Sequence, residues 1–219
     1  LYSESSTIST YNSFSQLSIL TNVNIKYEEF LDNDTTKLRC IITCIPHKKQ
    51  GVSAEFEGTN SASFLGVGAG VGYTHRNLLK GSEVFKIKAQ GAYEAITPSF
   101  SSFNDNYFEI GGDVSLTFPQ FMIPFLDKET RQKIHATTQF NSNYSYQRRP
   151  GYFTRTVLSG GVQYSWQNRT NRQIKHTLDL VDLSYIHIPF LDSTFNSGLT
   201  ENARLYSFRD QFIMSLGYT

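Results

Sequence analysis

The sequence has no run of about 18 apolar residues, which excludes a membrane-spanning helix. It also has little net charge: 20 basic and 19 acidic side chains leave +1, so no charged tail points to a nucleic-acid partner. Residues 1–18 lack the basic start and apolar core of a signal peptide, and the chain does not begin with Met. We therefore expect the sequence to begin within a longer protein.

Cysteine is scarce too, and the two cysteines are Cys40 and Cys44 in the run LRCIITCIP. On a strand these positions lie roughly 13 Å apart, whereas a disulfide needs Cα atoms within about 7 Å. We therefore expect two unpaired thiols on one face of a strand. A metal site would need more ligands, and only His47 is close in sequence, so we predict neither a metal ion nor a cofactor.

What the chain does contain is an unbroken alternation over residues 65–74, LGVGAGVGYT. A period of two indicates a strand, because successive side chains point to opposite faces. A bare glycine face suits a water-soluble sheet poorly, since glycine adds backbone entropy and no packing. The pattern is typical of a transmembrane β-barrel strand whose apolar face meets lipid and whose glycine face lines a crowded or curved interior.

The rest of the chain divides into an N-terminal α/β unit and a series of strands. Apolar residues spaced by three predict a helix over 9–20, and strand-like runs at 22–30 and 37–45 flank a polar turn. Beyond Pro46 we predict eight strands, at about 51–58, 65–76, 83–96, 107–118, 134–147, 152–167, 175–188 and from 210. In the seventh, the apolar phase changes between Leu180 and Val181, which predicts a bulge. The expected domains are 1–46 and 47–219.

Aromatic residues make up 14% of the chain, mostly Tyr and Phe. Eight of them are predicted near strand ends on the apolar face, where membrane barrels carry aromatic girdles: Tyr73, Tyr93, Phe108, Phe118, Tyr144, Tyr146, Tyr164 and Trp166. Charges on the opposite faces, such as Lys88 and Glu109, most simply wet a barrel interior. A soluble sandwich or lipocalin-like barrel would bury the same apolar faces. Strands of ten or more residues with charged opposite faces favour the membrane.

Two short motifs carry a family resemblance. One is E-x-x-G-T at Glu55, Gly58 and Thr59, followed by the glycine-rich strand. The other is R-N-L-x-x-G-S-E, over residues 76–83. With QLSILTNVNIKYEE and LRCIITCIPHKKQ before them, these pieces resemble the junction between the last periplasmic POTRA domain and the barrel of BamA/TamA-like bacterial surface antigens. The run GTNSAS is most similar to Bacteroidetes members, and EIGGDVSLTFPQFMIPF and VDLSYIHIPFLDSTF also fit.

The resemblance implies a fold, a cellular location and a mechanism. The fold would be mainly β: a partial α/β POTRA domain in the periplasm, then an antiparallel outer-membrane barrel showing about eight of sixteen strands. No Arg-Gly-aromatic motif or terminal aromatic strand is present, so we expect a fragment cut at both ends. The implied function is insertion or translocation of outer-membrane proteins. Partners would be outer-membrane lipid, unfolded outer-membrane protein clients, and accessory lipoproteins or a periplasmic partner at the POTRA domain.

In that family the first barrel strand forms a lateral gate, whose exposed backbone edge templates incoming strands. The matching residues are Gly51, Val52, Ser53, Ala54, Glu55, Phe56, Glu57 and Gly58. An ordinary barrel strand is the alternative for the same segment. The mechanism needs backbone groups, so we predict no catalytic residue and no enzyme activity.

Other functions stay open at this stage. Eight strands suffice to close a barrel, so the alternative is a complete small outer-membrane barrel with a structural, adhesin or solute-binding role. A barrel enzyme is a third class, with no G-x-S-x-G elbow to support it. The run GVGAGVG lacks the spacing of a phosphate-binding loop, and no predicted helix follows it.

Overall fold

The computed structural model describes residues 2–32, 35–61, 64–95, 106–122, 136–167 and 174–219. The structure is mainly antiparallel β, with 69% of the described residues in strands, as the sequence predicts. Helices are α1 (Glu4–Ser15), α2 (Ser193–Gly198) and α3 (Glu201–Tyr206). Strands are β1 (Leu20–Asp32), β2 (Thr35–Pro46), β3 (Gln50–Ser61), β4 (Phe64–Arg76), β5 (Val84–Ala95), β6 (Tyr107–Phe118), β7 (Ala136–Arg149), β8 (Phe153–Gln167), β9 (Lys175–Leu191) and β10 (Gln211–Tyr218).

Strands β3 to β10 form one eight-stranded sheet in which every strand pairs with its neighbour in sequence. All eight predicted strands are confirmed, and their ends shift by only a few residues. Within the described residues the sheet is not closed, because β3 and β10 are not paired with each other. The transmembrane barrel and the POTRA domain therefore stay predictions.

The N-terminal unit is the predicted helix and hairpin, but the predicted helix bounds, 9–20, are wrong. Helix α1 begins earlier because Ser3 caps it, accepting a hydrogen bond from the Ser6 backbone N–H. It ends at Ser15, since Leu20 already belongs to β1 and pairs with Pro46. The two predicted strands of this unit are confirmed as β1 and β2, which pair as an antiparallel hairpin.

The predicted bulge in the seventh strand of the sheet is confirmed. Val162 on β8 pairs with Val181 on β9, and the next residue, Gln163, pairs with Asp179, so Leu180 is the extra residue. The bulge keeps the apolar residues on both sides of it on one face. It also places Asp179 and Asp182 together on the opposite face, although simple alternation would separate them.

Neither face of the sheet is covered by a second layer in the described residues. Among the residues that the structure describes, five apolar ones are buried, which is too few for the core of a two-layer domain: Val23, Ala95, Phe121, Ala136 and Tyr164. The segment after β6 folds back locally: Phe121 stacks on Tyr164 at 5.0 Å between ring centroids. None of the helices in the described part of the chain is long and apolar enough to cross a membrane.

Candidate functional site

Strand β3 lies at one edge of the sheet and contains every residue of the predicted gate segment: Gly51, Val52, Ser53, Ala54, Glu55, Phe56, Glu57 and Gly58. It pairs with β4 along its whole length. Its other edge has no partner strand among the described residues. A long edge strand with a free backbone is a template for another strand.

The register shows which backbone groups of β3 face the free edge. The Arg76 backbone N–H donates to the Lys49 carbonyl at 2.7 Å, so these two residues form a hydrogen-bonded pair. Such pairs recur at every second residue of an antiparallel ladder. Odd-numbered residues of β3 therefore bond to β4, and even-numbered residues, such as Val52 and Ala54, direct their N–H and C=O groups to the free edge.

The two faces of β3 differ sharply in chemistry. Val52 and Phe56 point to one face and are 81% and 86% exposed. Glu55 and Glu57 point to the other. The Glu55 carboxylate pairs with the Lys88 ammonium of β5 at 2.7 Å, reaching across the whole width of β4. Because both side chains are well exposed, the ion pair orients them and adds little stability.

The glycines of β4 explain how side chains of β3 and β5 cross it. A Cβ at Gly72 would lie 2.6 Å from the Ser53 hydroxyl, and one at Gly70 would lie 3.5 Å from Lys88 Cε. Glycine here makes room for neighbouring side chains, as the alternation suggested. The result is a groove of about 270 Å³ on the polar face, lined by Glu55, Glu57, Lys88, Gln90 and Glu109 with the glycines at its floor.

The polar face continues across the remaining strands as cross-strand hydrogen bonds. Asn143 donates to Asp113 at 2.6 Å, and Gln147 donates to the Tyr107 hydroxyl at 2.7 Å, which in turn donates to Glu109. On β9 the bulge places Asp179 where Gln163 donates to it at 2.7 Å. The face is thus polar from one edge of the sheet to the other.

The opposite, apolar face is exposed along the sheet. Exposed apolar side chains on it include Val67, Val71, Ile87, Ile110, Val114, Phe140, Leu158, Phe212, Met214 and Leu216. An apolar surface of this extent normally contacts lipid or another protein. All eight predicted girdle residues lie on this face by register: Tyr73, Tyr93, Phe108, Phe118, Tyr144, Tyr146, Tyr164 and Trp166.

The girdle residues do not form one row. Tyr93 and Phe108 are directly paired near one end of their strands. Phe118 and Tyr164 flank Thr138 from opposite sides near the other end. Tyr73, Tyr144 and Tyr146 lie between those positions. Trp166, two residues after Tyr164 on β8, stacks on His176 at 5.4 Å between ring centroids.

Sequence reasoning missed the role of Thr138, which is fully buried although it lies on the apolar face. Its hydroxyl donates to the Gln120 carbonyl at 2.8 Å and accepts from the Met122 N–H at 3.0 Å. These bonds hold residues 120–122 against the apolar face, with Phe121 stacked on Tyr164. One signal in the sequence was a polar residue on the apolar face of the strand, between Ala136 and Phe140.

The turn between β4 and β5, residues 77–83, shows what the second family-like motif does physically. The Glu83 carboxylate is buried and accepts from the Leu79 and Gly81 backbone N–H groups at 3.2 and 3.0 Å. A Cβ at Gly81 would overlap that carboxylate. The Asn77 side chain accepts from the Ser82 N–H at 2.9 Å, closing the turn.

Titratable groups elsewhere in the described residues include the two cysteines and Asp210. Both cysteines are unpaired, as predicted. Across the described residues, no three His, Cys, Asp or Glu side chains are placed to hold a metal ion. At the start of β10, the backbone N–H of Ile188 and the His187 ring lower the pKa of Asp210, whose carboxylate accepts from both at 2.8 and 2.7 Å.

Comparison with known proteins adds no family to this picture. No protein-family model matches the chain, and searches of the curated proteins and of the solved structures also found no match. The free edge of β3 and the contrast between the two faces of the sheet are therefore the features that bear on function.

Proposed function

We propose that the eight-stranded sheet is part of an outer-membrane β-barrel and that β3 acts as the gate strand of an outer-membrane protein assembly or translocation factor. The single observation that carries the proposal is the free edge of β3, a 12-residue strand with an exposed apolar face. On this proposal, N–H and C=O groups at alternate positions pair with a client strand, which is β-augmentation. The clients are unfolded outer-membrane proteins.

The contrast between the faces supports the membrane part of the proposal. The hydrocarbon core of a bilayer has no hydrogen-bonding groups, so a sheet can lie in it only if one face is apolar and its edges find partners. The chain offers an apolar face with Val71 and Ile110 exposed and a hydrogen-bonded polar face behind it. The α1–hairpin unit would be the end of a POTRA domain in the periplasm, where an accessory lipoprotein or a periplasmic partner would bind.

Proline at the free edge tests the templating step. Ala54→Pro removes an N–H that faces the free edge, and the register leaves the bonds from β3 to β4 in place. We expect the variant to insert in vesicles at the wild-type level and to lose its acceleration of the folding of an urea-unfolded outer-membrane barrel protein. The measurement is the rate at which that client becomes protease-resistant in the vesicles.

Two matched variants make the test specific. Ala54→Ser keeps the edge N–H, so its client folding rate should equal that of the wild type. Ser53→Pro removes an N–H that bonds to β4, so it should reduce insertion of the chain itself. A client folding rate that Ala54→Pro leaves unchanged would exclude β3 as the template.

A second candidate is a complete eight-stranded outer-membrane barrel with a structural, adhesin or solute-binding role. The observation in its favour is the simple up-and-down order of eight strands, a number that closes small barrels. It requires β3 to pair with β10 in the membrane. A disulfide formed between cysteines introduced on β3 and β10, without loss of insertion, would favour this candidate over the gate.

A further inference from the structure

The end of the sheet at which β3 begins combines exposed leucines with cations. Leu78 and Leu79, in the turn between β4 and β5, are 45% and 62% exposed. Lys80 follows them and is also exposed. Lys48 and Lys49, which lead into β3, are exposed at the same end.

Two hydrogen bonds from Arg76 bring the segment 47–50 beside the turn at 77–83. The Arg76 N–H donates to the Lys49 carbonyl at 2.7 Å, and its guanidinium donates to the Lys48 carbonyl at 3.3 Å. The strand that enters the turn therefore holds the lysine-bearing segment alongside it. Four cations, counting Arg76, lie at one end of the two strands nearest the free edge.

These cations have no exposed acid beside them in their own segments. Residues 47–50 and 76–83 contain one acidic residue, Glu83. Its side chain is buried, and its carboxylate accepts from the backbone N–H groups of the turn. The surface of the turn is therefore net positive.

The turn is also held in one shape. Asn77, Lys80 and Ser82 have φ angles of 70°, 68° and 68°, in the left-handed region that non-glycine residues seldom adopt. The Asn77 N–H donates to the Glu83 carbonyl at 2.6 Å, and Ser18 donates to the Ser82 carbonyl at 3.0 Å. The leucines are thus presented outward by a fixed backbone.

We propose that this turn docks on anionic phospholipid headgroups, in the leaflet on the side of the N-terminal unit. The two leucines enter the boundary between headgroups and acyl chains, and Lys48, Lys49 and Lys80 lie among the phosphates. Charge complementarity selects this partner, since clustered lysines beside exposed apolar side chains bind anionic bilayer surfaces. The inference rests on the proposed insertion of the sheet, and it adds a lipid preference to it.

A probe at the turn tests the proposal. Leu79→Cys, on a Cys40→Ser/Cys44→Ser background, is labelled with an environment-sensitive fluorophore. The full chain is added to phosphatidylcholine vesicles with or without phosphatidylglycerol. We expect a blue shift at much lower lipid concentration when phosphatidylglycerol is present.

Charge removal should abolish that preference. In Lys48→Gln/Lys49→Gln/Lys80→Gln, the anionic lipid concentration for half-maximal shift should rise roughly 100-fold at low salt. The control Lys26→Gln/Lys37→Gln/Arg209→Gln makes the same change of charge at exposed positions elsewhere and should behave as wild type. Equal responses in both vesicle types, or equal effects of the two triple variants, would overturn the proposal.

Protease protection of the strands in the same samples separates this inference from the proposed function. Protected strands with a turn probe that stays in water would overturn the lipid-docking inference alone. A probe that then shifts on addition of a periplasmic protein would assign the turn to a protein partner instead. Unprotected strands in every vesicle would contradict membrane insertion itself.

Discussion

A single arginine on the apolar face distinguishes a lipid-facing sheet from a water-facing one. Val71 lies near the middle of β4 and is 60% exposed. Its neighbours across the ladder are Ala54 and Ala89, which leave room for a longer side chain. Val71→Arg therefore creates no cavity and no clash, and only the surrounding medium decides its effect.

The expected magnitudes in the two media differ clearly. In water, an exposed substitution of this kind changes the free energy of unfolding by about 0.5 kcal/mol or less. On the lipid face of a transmembrane barrel, arginine near the bilayer midplane costs about 2–4 kcal/mol. We predict the larger loss for the chain folded in vesicles.

The control is Gln90→Arg on the polar face. Gln90 is exposed and pairs directly with Gly70, so the new side chain has space and water. Its expected effect is within about 0.5 kcal/mol. The assay is guanidinium unfolding from phosphatidylcholine vesicles, followed by the fluorescence of Trp166, the one tryptophan in the chain. Equal losses for Val71→Arg and Gln90→Arg would refute the argument that the apolar face lies in lipid.

Three further predictions concern local structure. Gly72→Val should lower the free energy of unfolding by about 1–3 kcal/mol, because its Cβ would lie 2.6 Å from the Ser53 hydroxyl. In the control Gly58→Ala, the new Cβ has no atom within 4 Å, so no such loss is expected. Denaturant midpoints compare the two variants. Glu83→Ala should cost about 1–3 kcal/mol, because it removes the charged acceptor of the Leu79 and Gly81 backbone N–H groups. Hydrogen exchange at Leu79 and Gly81 should accelerate, and unchanged exchange would exclude this role. The pKa of Asp210 is lowered in the folded chain. Its contribution to stability is therefore present above the Asp pKa of the unfolded chain, about 3.9, and is lost as pH falls through the folded value. Asp210→Asn should remove this part of the acid dependence in a pH series of unfolding curves, and an unaltered dependence would contradict the assignment.

The strands of the sheet were predictable because each has a two-residue period that local sequence alone displays. The bulge at Leu180 was predictable for the same reason, since one extra residue in the strand accounts for a change of phase within one apolar run. The glycine alternation in β4 also predicted crowding on its glycine face, where Ser53 and Lys88 now lie.

The remaining features depend on contacts that sequence periodicity does not encode. The bounds of α1 follow from the Ser3 cap, which competes with the apolar spacing further along the chain. The burial of Thr138 follows from a segment that returns over the sheet. Helices α2 and α3 were not predicted, although Asp192 and Thr200 cap them with side-chain oxygens. A short helix of one or two turns has too few residues to establish a period.

The most direct test of membrane insertion is a scan of single cysteines along β4, from Leu65 to His75 with Gly72 left unchanged, on the Cys40→Ser/Cys44→Ser background. Each cysteine carries a spin label, and its accessibility to oxygen in lipid and to a water-soluble nickel complex is measured in vesicles. We predict that labels at odd-numbered positions contact lipid and that labels at even-numbered positions contact water, with a period of two. Water accessibility at every position would contradict membrane insertion of the sheet.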